Sequence, residues 1–223
     1  MLERQAAPLR EQVVSAIRAD IVDATFLPGA RLKEKALCET YEVSRTVIRE
    51  ALRQLESEKL VHLESNVGPV VSELTALDAK NLYEARGALE ATAARLAASS
   101  ASAEELETIG AVFDEIVRAD PSELSGLIAL KNSFYNALMT ACGNQVIAEM
   151  FSNIQARTNQ LRRMTLSDPG RHEATIRELT AVVEAIRRRD GEGAHAAAFA
   201  HVRSAGDLAL RKFQTNKPEG LRE

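Results

Sequence analysis

The chain has 223 residues, 45% hydrophobic and 27% charged, with a formal net charge of −4. These are the proportions of an ordinary globular protein with one large domain or two modest ones. Two cysteines without CxxC spacing exclude a disulfide framework or zinc knuckle and suit a reducing cytoplasm, and no apolar run reaches the ~18 residues of a membrane span, so a soluble cytoplasmic protein without a membrane partner is expected.

The amino terminus, MLERQAAPLR, lacks the apolar stretch of a secretion signal. Trp is absent and aromatics make up 4%, while Ala and Leu abound, which favours a helical core. In chain order, residues 8–24 carry Leu9, Val13, Ile17 and Ile21 at helical spacing, and LPGA at 27–30 breaks the chain with a Pro-Gly turn. KEKALCETY (33–41) predicts a short helix. Ser44 then caps a third helix that continues through Ile48, Leu52 and Leu55. VHLE (61–64) and PVVS (69–72) flank SNVG, whose Asn and Gly favour a tight hairpin turn. Three helices followed by a two-stranded wing outline a winged helix-turn-helix over residues 1–74.

From residue 75 the pattern is helical throughout. Helices are expected over 76–99, 103–118, 121–141, 144–166, 171–189 and 191–213. Thr75 with Asp78 and Ser102 with Glu105 have the spacing of reciprocal N-terminal caps. The expected fold is mainly α: the winged domain, then an all-α antiparallel bundle over 75–223.

Residues 1–74 hold 10 Lys and Arg against 12 Asp and Glu, so contact with nucleic acid has to come from where the cations sit. In a helix-turn-helix the second helix enters the major groove with its first turns at the base edges. Those turns carry Ser44, Arg45, Thr46 and Arg49. Short hydroxyls at a helix N-terminus suit phosphates, and Arg grips guanine as a fork. Lys33 and Lys35 are placed to clamp the backbone, and Asn66 and Gly68 at the wing tip to approach flanking phosphates. The alternative is a solvated face on which Arg49 pairs with Glu42, Glu50 or Glu56; Arg53, two turns in, fits that description better than base contact.

The run FLPGARLKEKALCETYEVSRTVIREALRQLESEKLVHLESNVGPVV resembles the amino-terminal domain of GntR-family transcriptional regulators over about 45 residues. The resemblance implies DNA contacts at Lys35, Ser44, Arg45, Thr46, Arg49, Asn66 and Gly68. It departs from the family in Lys35, usually Arg, and in Val47, often Pro. LYEARGALEATAARLAA (82–98), FYNALMTACGN (134–144) and VVEAIRRRD (182–190) are similar to the FCD-type effector domain of the FadR subfamily. That resemblance implies a helical bundle around a ligand cavity, in many members with a metal held by one Asp and three His.

Only one of those four ligands is retained, His201. Lys131, Tyr135 and Leu179 occupy the other positions, and His172 and His195 do not replace them, so no metal and no cofactor are expected. Arg86, Lys131, Tyr135 and His201 instead lie in core stripes, where polar groups require partners or a ligand. They are the candidate effector site, with Lys131 supplying the positive charge a metal supplies elsewhere. The internal alternative is that Arg86 bridges Glu90 and that Lys131 snorkels or pairs with a buried acid.

The expectation is a homodimeric, ligand-responsive bacterial transcriptional regulator that binds a palindromic double-stranded DNA operator and senses a small carboxylate-type effector without a metal. The alternatives are a regulator whose helical domain is only a dimer scaffold, and an all-helical enzyme. Against the enzyme, the chain presents no catalytic triad ordering and no Gly-rich phosphate loop.

Overall fold

The computed structural model describes residues 6–215 and divides into two compact units on either side of the Leu74–Thr75 bond. In the first, α1 (Ala6–Val22), α2 (Glu34–Thr40) and α3 (Arg45–Ser57) precede the antiparallel strands β1 (Val61–Glu64) and β2 (Gly68–Val71). Val13, Ile17 and Ile21 recur on one face of α1 and are buried, as are Ile48, Leu52 and Leu55 of α3, the helix it packs against. Leu9, with the same spacing, is exposed. Arg18 joins α1 to the end of α3 as a fork, its Nε and Nη2 donating to Glu58 at 2.9 and 2.7 Å.

The turn before α2 requires glycine. Gly29 has φ +77°, and a Cβ there would lie 2.5 Å from Glu73 Oε1. Its N–H donates to Val71 O at 3.0 Å and that of Leu32 to Pro69 O at 2.8 Å, so this segment runs beside β2. The hairpin pairs Val61 with Val71 and Glu64 with Gly68, one residue earlier than the sequence suggests. Asn66, at φ +65°, occupies the left-handed region that Asn tolerates in turns.

The second unit is a bundle of α4 (Ala76–Ser100), α5 (Ala103–Arg118), α6 (Leu124–Ala141), α7 (Gln145–Leu166), α8 (Arg171–Arg187) and α9 (Gly191–Thr215). Both expected capping boxes form: Thr75 Oγ1 accepts from Asp78 N–H at 3.1 Å while Asp78 accepts from Thr75 N–H at 2.9 Å, and Ser102 and Glu105 do the same. The sixth helix starts at Leu124 and not at 121. Asp120 Oδ1 accepts from the backbone and hydroxyl of Ser122 at 2.8 and 2.7 Å and folds ADPSE into a turn. The eighth ends at Arg187, before Arg189 at φ +60°.

α4 is the axis of the bundle, packing against α6, α7, α8 and α9. Its buried face is mostly small, with Ala79, Gly87, Ala91, Ala94 and Ala98, and α9 answers with Ala194, Ala198, Ala205 and Gly206. The closest approach needs the glycine: a Cβ on Gly206 would sit 3.1 Å from Tyr83 Cβ and Cγ. No helix among the described residues is long and apolar enough to cross a membrane.

Gly206→Val is expected to cost about 1–3 kcal/mol by overpacking the α4–α9 seam. Gly126→Ala, whose new methyl would meet only Glu123 Cβ at 4.0 Å, is expected to gain about 0.5 kcal/mol. Urea unfolding followed by helix circular dichroism checks both signs.

Candidate functional site

Two constellations bring the chemistry-bearing residues together, one in each unit. In the first, Ser44 caps α3, its Oγ accepting from Val47 N–H at 3.4 Å, which sets the helix start. Arg45, Thr46 and Arg49 all lie exposed on the first turns of that helix. Lys33 stands exposed at the N-cap of α2, and Lys35 is exposed with Glu39 3.9 Å away, a pairing worth little in water. Arg49 does not pair with Glu42, Glu50 or Glu56. Its Nε lies 3.0 Å from each carboxylate oxygen of Glu34 on α2, which raises its already high pKa. One edge of the guanidinium is thereby held, and no other hydrogen bond to Arg49 occurs among the described residues. Arg49 and Arg53 share a cleft of about 360 Å³ with Val61, Leu63 and Pro69 of the wing. Asn66 lies in the turn between the two strands, and Gly68 opens β2.

In the bundle, Arg86, Lys131, Tyr135 and His201 are 1–3% exposed and meet in the interior. Tyr135 is the hub. Its hydroxyl lies 2.9 Å from His201 Nε2, and Arg86 Nη2 donates to it at 3.4 Å. Lys131 Nζ sits 5.9 Å from its ring centroid. Arg86 also bridges Glu90 at 2.7 Å, as the helical spacing allows.

Four further groups complete the cluster, of which only Glu90 was weighed from the sequence, as the internal partner of Arg86. Glu90 and Glu178 are its carboxylates; Arg162 and Arg171 add two guanidinium groups. Arg162 Cζ lies 4.4 Å from the Tyr135 centroid, and its Nη1 donates to Asn132 and Asn159 at 2.9 and 2.8 Å. Arg171 forks onto Glu178 at 2.9 and 2.8 Å. The signal for Arg162 was its place in the stripe Phe151–Gln155–Thr158–Arg162–Thr165, and for Glu178 its position two helical turns after Arg171.

Burial sets the protonation states. It pushes His201 down to about 4, against the opposing pull of Glu178, so the ring is neutral at pH 7. Nδ1–H then donates to Glu178 Oε2 at 2.6 Å, and Nε2 accepts from the Tyr135 hydroxyl. Burial favours a neutral Glu178, but hydrogen bonds from His201, Arg171 and Ser204 hold it ionised, at about 2. Burial followed by Arg162, Arg171 and Arg86 lowers Lys131 well below an ordinary lysine.

These residues do not fit a divalent metal. Both His201 nitrogens are engaged, Lys131 and Tyr135 occupy two ligand positions, Leu179 is packed in the core, and three guanidinium groups surround the place. No group of three or more His, Cys, Asp or Glu able to hold a metal occurs among the described residues. Two clefts of the bundle, about 400 Å³ beside the α6–α7 turn and about 320 Å³ between α4 and α9, are lined by other residues.

Residues 9–71 match the family described as bacterial regulatory proteins, gntR family, and residues 81–204 match the FCD domain. The chain is 28% identical to the uncharacterized HTH-type transcriptional regulator YdhC of Bacillus subtilis, covering 87% of this chain and 88% of that one. It is 23% identical to the HTH-type transcriptional repressor RspR of Escherichia coli, covering 94% and 92%. With the galactonate operon transcriptional repressor of Escherichia coli the identity is 25%, covering 87% and 94%. Among solved structures, Escherichia coli McbR/YncC shares the fold at a TM-score of 0.81 and 20% identity, covering 92% and 98%.

A histidine whose folded pKa of about 4 lies below its ordinary 6.5 stabilises the fold above pH 6.5 and loses that contribution as pH falls toward 4. Up to about 3 kcal/mol of stability is expected to disappear across this window. His201→Gln, which takes up no proton, is expected to flatten the loss in denaturant titrations at pH 7, 6, 5 and 4.

Proposed function

Because this chain belongs to the GntR family of bacterial transcriptional regulators and carries an FCD domain, we propose that it binds a palindromic operator as a homodimer and that a small anionic metabolite in the bundle alters that binding. The unit of residues 1–74 reads DNA, and that of 75–223 senses the effector and dimerises. Both act in the cytoplasm.

The observation that carries the DNA reading is the exposed pair Arg45 and Arg49 at the capped start of α3, with Arg49 oriented by Glu34. Lys33, Lys35, Ser44 and Thr46 supply phosphate contacts beside it, and Asn66 and Gly68 supply them from the wing. One reading helix gives modest discrimination, and a second half-site multiplies it. The effector reading rests on Lys131. It is buried and makes no hydrogen bond or ion pair among the described residues, and Arg86, Tyr135 and His201 surround it as hydrogen-bonding groups. A carboxylate beside its Nζ replaces the hydration that burial removed. The cluster is enclosed, so an effector enters by parting helices and binds one arrangement of the bundle better than another. That differential affinity is what shifts operator binding.

Fluorescence anisotropy with the duplex upstream of the protein's own gene tests the first half. Arg45→Ala and Arg49→Ala are each expected to lose about 1–3 kcal/mol of discrimination against a scrambled duplex. Glu34→Ala removes a negative charge and releases Arg49. It is expected to strengthen binding to the scrambled duplex while narrowing the preference for the operator. Equal binding of both duplexes by the native chain would remove the regulator-at-its-own-promoter reading. For the second half, organic acids that leave operator affinity unchanged would favour a bundle that serves only as a dimer scaffold.

A further inference from the structure

The proposed anionic effector is the premise here, and the charges in the cluster narrow its class. Arg86, Lys131, Arg162 and Arg171 are the buried cations, and Glu90 and Glu178 are the carboxylates facing them. Glu90 is taken by Arg86 at 2.7 Å, and Glu178 by the Arg171 fork. His201 is neutral and contributes no charge. Lys131 on α6 and Arg162 on α7 are left over.

Arg162 is 2% exposed. Its Nη1 is spent on two neutral amides, but Nε and Nη2 are buried without a hydrogen-bond partner. Glu90 Oε1, 3.9 Å from Nη2, is beyond hydrogen-bonding reach. Nε and Nη2 form the edge of a guanidinium that meets a carboxylate with two parallel N–H···O bonds. Lys131 has no directional partner and offers a point charge. Both cations lie beside the Tyr135 ring, Arg162 Cζ at 4.4 Å and Lys131 Nζ at 5.9 Å from its centroid.

We propose that the effector is a small dicarboxylate, one carboxylate seated on the Nε–Nη2 edge of Arg162 and the other against Lys131 Nζ. A monocarboxylate on Arg162 would leave Lys131 without a counter-charge to hold its proton, whereas a second carboxylate supplies one. The groups facing Lys131 are Arg86 and Glu90 from α4, Tyr135 on its own helix, Arg162 from α7, Arg171 from α8 and His201 from α9. Burial and then the cations among them favour loss of its proton, and an incoming carboxylate favours its return. Binding is therefore accompanied by proton uptake.

Isothermal titration of the full chain with malonate, succinate and glutarate, against acetate, propionate and butyrate at matched ionic strength, tests this. At least one dicarboxylate is expected to bind 10-fold or more tighter than every monocarboxylate. Repeating the best one in two buffers of different ionisation heat is expected to reveal a proton taken up. Lys131→Gln is expected to abolish both the preference and the uptake. Arg162→Lys, which retains charge and loses the fork, is expected to weaken the dicarboxylate while keeping its lead, and serves as the second variant should Lys131→Gln fold poorly.

Equal binding of the two series by the native chain, or a preference unchanged in Lys131→Gln, overturns the dicarboxylate assignment and leaves an anionic effector standing. Binding of inorganic phosphate with no dicarboxylate bound also overturns it. If neither acid series nor phosphate binds, the effector reading falls with it.

Discussion

A charge removed from water has to be matched inside the protein, and the helical unit is organised by that requirement. Eight polar side chains from five helices, Tyr135 at their centre, share one interior in a bundle whose core is otherwise mostly apolar. Glu90 makes it tolerable for α4 to carry Arg86 into the core, and Glu178 does the same for Arg171 on α8. Arg86 meets Glu90 in one hydrogen bond and Arg171 meets Glu178 in two, and removing one partner strands the other at a cost of several kcal/mol. The network therefore fixes how the helices meet more sharply than apolar packing does, because apolar contacts tolerate sliding and hydrogen bonds do not.

The same logic operates at the surface of the winged unit with a different outcome. Glu34 and Arg49 also form an ion pair, but in water the pair contributes little to stability. Its consequence is orientation: the carboxylate restrains a long side chain at the start of α3. Family membership makes this chain a transcriptional regulator. The two ion-pair arrangements differ in where they hold charge, one at the exposed start of α3 and one within the bundle.

Replacement of the metal-binding residues has a physical counterpart in the cluster. A dication needs several donors with negative or neutral character converging on one point. Lys131 at one such position and guanidinium groups around the others reverse the sign of the field there. Retention of His201 does not preserve a fragment of the site, because Glu178 and Tyr135 occupy both of its nitrogens.

Much of the fold was legible in the residues. Helical periodicity, the Pro-Gly turn, the SNVG hairpin and the two capping boxes are local signals, since each depends on atoms within a few residues of one another. Local rules also account for the misplacements: Asp120 captures Ser122 and delays α6, and the left-handed Arg189 closes α8 early. The exposed arginines at the start of α3 and the buried polar positions Arg86, Lys131, Tyr135 and His201 were readable from their stripes. Their partners, Glu90 beside Arg86 apart, were not. Glu34 reaches Arg49 across a separation of 15 residues, His201 reaches Tyr135 across 66, and Arg162 joins Asn132 across 30. Periodicity says which face of a helix is buried. Which charge lies opposite another depends on how the helices cross, and only the tertiary structure decided that.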